Sequence, residues 1–411
     1  MPVSMPVSMA KKRHGGWLPG PAMTVPSGPV VQCTHRLARL LADRTCVRYG
    51  GPVRWDNLTL SDGSAQDALF GAGDVITRTF DTPEFRGMMF YEVRARSVVN
   101  KVPGGSRMPF EWTVNPYRGC SHACVYCFAR RTHEYLDLDA GIDFDSKIVV
   151  KVNAPELVRK ELTSPRWVGD HIAMGTNVDP YQRVEGRYRL MPGILEALRD
   201  VRNPFSILTK GTLVLRDLDL LREAAEVTDV SVNVSVGCFD QTLWRQVEPG
   251  TPAPRARLGV CRALTDAGIG CGVLMAPILP YLSDSPSRLE TTVRAIAEAG
   301  ARRVTPIVLH LRPGAREWYL SWLEREHPEL VTRYHELYGR GAYAPKAYQR
   351  SVCDQVAELA RRYGVGNPTP GQARRRPVRR TAVRAGPLPG SASARFSHDR
   401  TSAEAEQLTL L

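Results

Sequence analysis

No apolar run in the 411 residues approaches the ~20 needed to span a bilayer as a helix, so a membrane-embedded chain is not expected. The opening MPVSMPVSMAKKRHGG carries positive charge without an apolar stretch behind it, which is not the pattern of a secretory signal. The expected compartment is therefore the cytoplasm. Cysteine lacks the even number and regular spacing of a disulfide framework: there are nine, irregularly placed. Reduced thiols, some of them metal ligands, are the expectation.

With 43% hydrophobic residues the chain can bury a large core, as one barrel enzyme with tails or as two or three average domains. Its net charge of +13 is concentrated, because Arg374, Arg375, Arg376, Arg379, Arg380 and Arg384 fall in one short stretch. Setting those six aside leaves about +7, a mildly basic body. An arginine-rich tail is suited to a polyanion through salt-sensitive phosphate contacts, and equally to being simply solvated.

Residues 1–75 are rich in Gly, Pro, Ser and Arg and are expected to be a poorly ordered extension, with one amphipathic helix over Cys33–Tyr49. From about Phe80 the pattern tightens. Strands are expected at Trp112–Asn115, His171–Gly175, Phe205–Thr209, Val230–Val236, Gly272–Ala276 and Val304–Leu309. Helical periodicity separates them at Pro192–Val201, Leu215–Glu226, Arg255–Ala267 and Pro286–Ala299. Ser285-Pro286 is a helix start, and Gly268 and Gly300 are helix ends awaiting a left-handed residue. Strand–helix alternation with short connections implies parallel strands and crossover helices. Six such units fall short of a closed eight-fold barrel, so the expected fold is α/β, a partial (β/α)6 barrel. An insertion, Leu136–Leu162, adds a strand (Lys147–Val152) and a helix begun at Asn153. The expected organisation is a 76–314 core with its lead-in segment, a helical region over 315–363 packed on it, and a basic disordered tail over 364–411.

Residues 115–130 read NPYRGCSHACVYCFAR, placing Cys120, Cys124 and Cys127 at C-x3-C-x2-C spacing just after the first core strand. Such a loop can wrap one face of a cubic iron–sulfur cluster and leave one iron without a protein ligand. An iron so exposed can chelate a small molecule. A closed zinc site would instead need a fourth protein ligand, such as His122 or a remote cysteine.

At these residues the chain resembles the radical S-adenosylmethionine (radical SAM) superfamily, whose motif has an aromatic residue before the third cysteine, as Tyr126 is here. Further segments narrow the resemblance: GTNVDPYQRVEGRYRLMPGILEAL, PFSILTKGTLVLRDL, EPGTPAPRARL and GVLMAPILPYLSDS. With ITRTFDTPEFRGMMFYEV and LHLRPGAREWYLSWL, they are similar to the actinobacterial, photolyase-like branch related to spore photoproduct lyase, over roughly 76–364. That resemblance implies a [4Fe–4S] cluster on the three cysteines and S-adenosylmethionine on its open iron. It implies a reduced flavodoxin- or ferredoxin-type electron donor, and a substrate that is damaged nucleic acid or else a peptide, RNA or metabolite. Within it, Thr176 and Asn177 are placed for the aminoacyl end of the cofactor. Lys210 resembles the lysine that meets its carboxylate, Ser235 the residue facing ribose or carboxylate, and Arg257 a second carboxylate partner. Tyr126 would offer backbone contacts to the adenine.

Other residues keep alternatives open. Asp179, Tyr181, Gln182 and Glu185 suit a substrate wall or a loop network. His310 and Arg312 suit an anion site or a cap, and Trp318, Tyr319 and Trp322 have helical spacing and read as core. Cys238, Cys261, Cys271 and Cys353 read as buried small hydrophobes, with Cys238 just past the fourth core strand. In one respect the chain departs from the lyase: Gly175 stands where the lyase carries the cysteine that supplies a hydrogen atom. A non-catalytic iron–sulfur protein that senses redox state or binds nucleic acid is the reading from a different class.

Overall fold

The computed structural model describes residues 58–59, 75–102 and 108–365. The helix expected over Cys33–Tyr49 and the arginines from Arg374 onward lie outside them.

Twelve strands are described: β1 (Leu58–Thr59), β2 (Ile76–Arg78), β3 (Met89–Ala95), β4 (Val99–Lys101), β5 (Trp112–Val114), β6 (Tyr117–Arg118), β7 (Lys147–Lys151), β8 (Ile172–Met174), β9 (Phe205–Thr209), β10 (Val230–Ser235), β11 (Cys271–Ile278) and β12 (Arg303–Val308). Seven of them form one sheet in the order β12-β11-β10-β9-β8-β5-β4. From β5 to β12 every pairing is parallel, and only β4 joins antiparallel, at the β5 edge. These six parallel strands, joined in succession by crossovers, are the partial (β/α)6 barrel that the strand–helix alternation implied.

Strand β9 falls where its apolar run placed it, and the other five core strands shift by one or two residues at their ends. The intervening helices are Leu190–Asp200, Leu218–Val227, Pro254–Asp266 and Pro286–Glu298. Each turns its apolar residues inward; Ile194, Leu195, Leu198, Leu221, Leu264 and Ile296 are fully buried. The segment Thr212–Asp217 is a 3-10 turn, so the helix expected from Leu215 begins at Leu218. Gly268 and Gly300 close their helices at φ +81° and +72°, a conformation that costs glycine little. Ser285 sits at its N-cap position, but its hydroxyl caps nothing and lies 3.4 Å from Ser287 Oγ.

A second, five-stranded sheet joins β1, β3, β7 and β6 in that order, with β2 on β3. It is built around the first crossover, whose strand β7 and following helix Ala154–Leu162 were both expected within the insertion. Asn153 does more than precede that helix. Its side chain, 7% exposed, accepts from Ala95 N at 2.9 Å and donates to Ala95 O at 2.9 Å, closing the end of β3 as a further strand residue would. After β12, helix Ala315–Glu326 packs on the 3-10 segment Phe128–Leu136, and helix Lys346–Arg362 on Pro286–Glu298 and β12. Tyr319 and Trp322 are buried there, as core residues should be.

Replacing Asn153 by alanine should cost about 2–4 kcal/mol, because both backbone groups of Ala95 lose buried partners. Ser285→Ala, which removes no capping bond, should stay within about 0.5 kcal/mol of the parent. Denaturant titration of the two variants checks the contrast.

Candidate iron–sulfur and cofactor site

The cysteine motif occupies an irregular loop between β6 and the 3-10 segment Phe128–Leu136, at the C-terminal end of the first parallel strand. Its backbone is buried without a ladder to satisfy it, so each polar group needs an individual partner. Phe144 O receives Cys120 N (3.0 Å), and Val247 O receives Val125 N (3.0 Å). Gly250 N donates to His122 O at 3.1 Å. The side chain of Gln182, fully buried, accepts from Ser121 N at 2.8 Å and donates to Gly119 O at 3.0 Å. Arg130, also fully buried, donates to Cys124 O at 3.3 and 3.0 Å, and its Nη2 lies 2.9 Å from each carboxylate oxygen of Asp145. Glycine is required at 250, where a Cβ would lie 2.1 Å from Ser121 O.

Cys120 and Cys124 are buried and Cys127 is half-buried, and the three thiols are close enough to raise one another's pKa. Burial pushes Cys124 up to about 12 and Cys120 well above the ordinary thiol value, with burial the leading cause for Cys127 as well. Thiols in such surroundings become thiolates in exchange for a cationic group. Among the described residues no three His, Cys, Asp or Glu side chains converge as ligands of a single metal ion. A cubane distributes three thiolates over three irons and needs no such convergence. Three thiols in one loop are the donor set of an iron–sulfur cluster with one iron lacking a protein ligand.

Around the loop stand the ends of the next strands. Lys210, just past β9, donates from Nζ to Ser235 Oγ at 3.0 Å, and its ammonium lies 5.8 Å from the Tyr126 ring centroid. Ser235 ends β10 and donates to Ala276 O at 2.9 Å, where the β11–β12 register shifts between Met275 and Ile278. Asp179 ties the strand ends to the loop: it accepts from Lys210 N and Thr209 Oγ1, both at 2.6 Å, and lies 3.3 Å from His122 Nδ1. Burial alone would raise the Asp179 pKa, but His122 and these hydrogen bonds hold it at about 2. Asp179 and Gln182 thus belong to the loop network. Tyr181, whose hydroxyl donates to Asp217 at 3.0 Å, and Glu185, which accepts from Leu190 N and Met191 N, both at 3.1 Å, bond away from the cysteine loop. Thr176 Oγ1 and Asn177 Oδ1, past β8, are buried atoms without a hydrogen-bond partner.

Arg257 has a carboxylate partner within the protein. Its guanidinium, 1% exposed, pairs with Glu248 and donates to Ser235 O (2.7 Å) and Pro252 O (2.9 Å). Glu248 also accepts from the Tyr126 hydroxyl. Although burial opposes it, the charges of Arg257 and Lys210 keep the Glu248 pKa below normal. The Tyr126–Glu248–Arg257 chain is an internal brace, with its charge satisfied before any ligand arrives. Tyr126, Lys210, Ser235 and Arg257 therefore form one connected network, while Thr176 and Asn177 stand apart from it. Glu248 and Arg130 were not singled out by sequence, although both lie in quoted motifs; their role depends on partners elsewhere in the fold.

Of the remaining cysteines, Cys238, Cys261 and Cys271 are buried and free, whereas Cys353 is only half-buried. Gly175 has φ +90°, and a Cβ there would lie 1.8 Å from Leu208 O. The backbone of β9 thus leaves no room for a side chain at this position.

Residues 114–296 match the Radical SAM superfamily. A protein of Mycobacterium tuberculosis is 52% identical over 288 residues, covering 70% of this chain and 85% of that protein. One of Methanocaldococcus jannaschii is 30% identical over 195 residues, 47% of this chain and 69% of its own length. Among solved structures, a spore photoproduct lyase complexed with dinucleoside spore photoproduct superposes with TM-score 0.52 at 16% identity, over 67% of this chain and 80% of that one. That likeness is one of fold. The chain belongs to the radical SAM superfamily. It is thereby a radical SAM enzyme of a superfamily whose cofactors are a [4Fe–4S] cluster and S-adenosylmethionine.

Two outcomes follow from the geometry. Gly175→Cys should not install a thiol in a working fold: the clash and the positive φ should yield insoluble protein or a melting temperature lower by several degrees. Glu248→Ala, which strands the buried Arg257 charge, should cost about 3–5 kcal/mol in thermal or chemical denaturation.

Proposed function

We propose that Cys120, Cys124 and Cys127 hold a [4Fe–4S] cluster, that Lys210 and Ser235 position S-adenosylmethionine beside it, and that the resulting radical acts on damaged nucleic acid. The observation that carries this reading is the Lys210–Ser235 pair at successive strand ends, beside a cysteine loop whose backbone is pinned on every side. When bound, the cluster and cofactor supply one-electron cleavage of a carbon–sulfur bond, giving methionine and a 5′-deoxyadenosyl radical that abstracts a hydrogen atom.

The chain's own residues bind, orient and exclude water. Lys210 spends one ammonium N–H on Ser235, leaving two for a carboxylate. Ser235 donates its proton to Ala276 O, so its oxygen faces a ligand only as an acceptor. Thr176 and Asn177 offer buried atoms still lacking partners, a suitable environment for an aminoacyl group. Arg257 contributes by fixing Glu248 and through it Tyr126. Holding reacting groups in register is the part a protein plays when cofactors carry the hard chemistry. The electron would come from a reduced flavodoxin- or ferredoxin-type donor. The nucleic-acid substrate is supported by the resemblance to the lyase branch, and Gly175 argues for a different hydrogen donor from the lyase's.

The test is anaerobic cluster reconstitution, reduction, and chromatography for 5′-deoxyadenosine with excess S-adenosylmethionine. The parent should form it and Cys124→Ala should not. Lys210→Ala should raise the half-saturating cofactor concentration about tenfold or more. A protein with a full, reducible cluster and no 5′-deoxyadenosine would overturn the proposal in favour of a sensing or binding role.

A further inference from the structure

Beyond the last parallel strand lies a group of side chains that the cofactor site does not use. His310, just after β12, stacks on Tyr343 with centroids 5.6 Å apart and planes at 30°. Phe128, the residue after Cys127, also lies against it, with centroids 5.8 Å apart. Arg312 donates to the Tyr343 hydroxyl at 3.3 Å, and its guanidinium carbon is 5.6 Å from the Phe128 centroid. Tyr343 is nevertheless 55% exposed, so burial does not explain its position.

The backbone holds it there. His310 and Tyr343 form an antiparallel bridge, and Leu311 N donates to Ala342 O at 2.7 Å. Arg316 donates to Gly339 O at 2.6 Å and Gly341 O at 2.8 Å. An aromatic ring on a loop pinned at four points, backed by a second ring and open to solvent, is pre-organised for a flat ligand. The two segments that build it, LHLRPGAR (309–316) and GRGAYAPKAYQR (339–350), contain Arg312, Arg316, Arg340, Lys346 and Arg350 and no acidic residue. Flat aromatic surface with cations of one sign is the composition that binds single-stranded nucleic acid.

We propose that this rim is a stacking platform for an unpaired nucleobase, with Tyr343 as the face it lies on and Arg312 beside the adjoining phosphate. The proposal rests on the nucleic-acid reading above and deepens it: the base is received out of its stack, next to the loop that bears the third cysteine. The chemistry of the base is read elsewhere, since stacking accepts any π-face.

The test uses full-length, cluster-loaded protein without S-adenosylmethionine or reductant. Fluorescence anisotropy compares a labelled ten-nucleotide oligothymidylate with an abasic oligomer of equal length. The parent should prefer the oligothymidylate about tenfold or more. Tyr343→Ser should abolish that preference while binding the abasic oligomer as the parent does, which also shows that the variant is folded. Tyr343→Phe should keep the preference. Non-specific contacts from the arginine-rich stretch act on both oligomers alike and cancel in the ratio. A parent without the preference, a Tyr343→Ser variant that retains it, or one that loses both oligomers equally overturns the platform. With no cofactor or reductant present, a chain unable to form a radical can still pass this test. One that forms the radical but acts on another class of substrate fails it.

Discussion

A buried loop with no regular structure must find a separate partner for each backbone N–H and C=O, and this requirement organises the protein around residues 119–127. Gln182 comes from beyond β8, Arg130 from the loop's own continuation, Val247 and Gly250 from the segment after β10, and Phe144 from the first crossover. These partners come from three units of the barrel. A loop satisfied from so many directions cannot relax independently of the fold, and its three thiols are held ready in surroundings that disfavour bare charge.

The same economy governs the strand ends. Asp179 bonds at once to Lys210 N, Thr209 and His122, so the lysine that faces Ser235 and the loop that carries the cysteines share one carboxylate. Glu248 joins Tyr126 to Arg257 in the same way. Buried charges in this site are compensated internally, whereas Thr176 Oγ1 and Asn177 Oδ1 are buried without a hydrogen-bond partner. Gly175 shows the reverse limit: the backbone of Leu208 fills the space a side chain would need.

Much of this was legible in the sequence. Apolar runs and amphipathic periods located β9 to the residue and the other core strands within two, because parallel buried strands and crossover helices each leave a clear pattern. The C-x3-C-x2-C spacing identified the loop because cluster ligation constrains residues that are neighbours in the chain. Arg257 shows where such reading stops. An arginine near strand ends suits a carboxylate, and it found one, but in Glu248 nine residues earlier rather than in a ligand. Gln182, placed between a wall and a network by sequence, proved to be a backbone substitute for the cysteine loop. Asn153 and Ser285 invert expectation similarly: the former closes a strand and the latter caps nothing.

What the sequence determined by itself is therefore what depends on short range: strand and helix period, the glycines that end helices, and the cysteine spacing that names the superfamily's chemistry. The tertiary structure alone decided which polar side chains are spent inside the protein and which are left to act. That choice turns on contacts between residues tens of positions apart, where burial makes an unmet hydrogen bond or an unpaired charge too costly to keep. It separated Lys210 from Arg257, closed the position at Gly175, and brought Phe128, His310 and Tyr343 together at the mouth of the barrel.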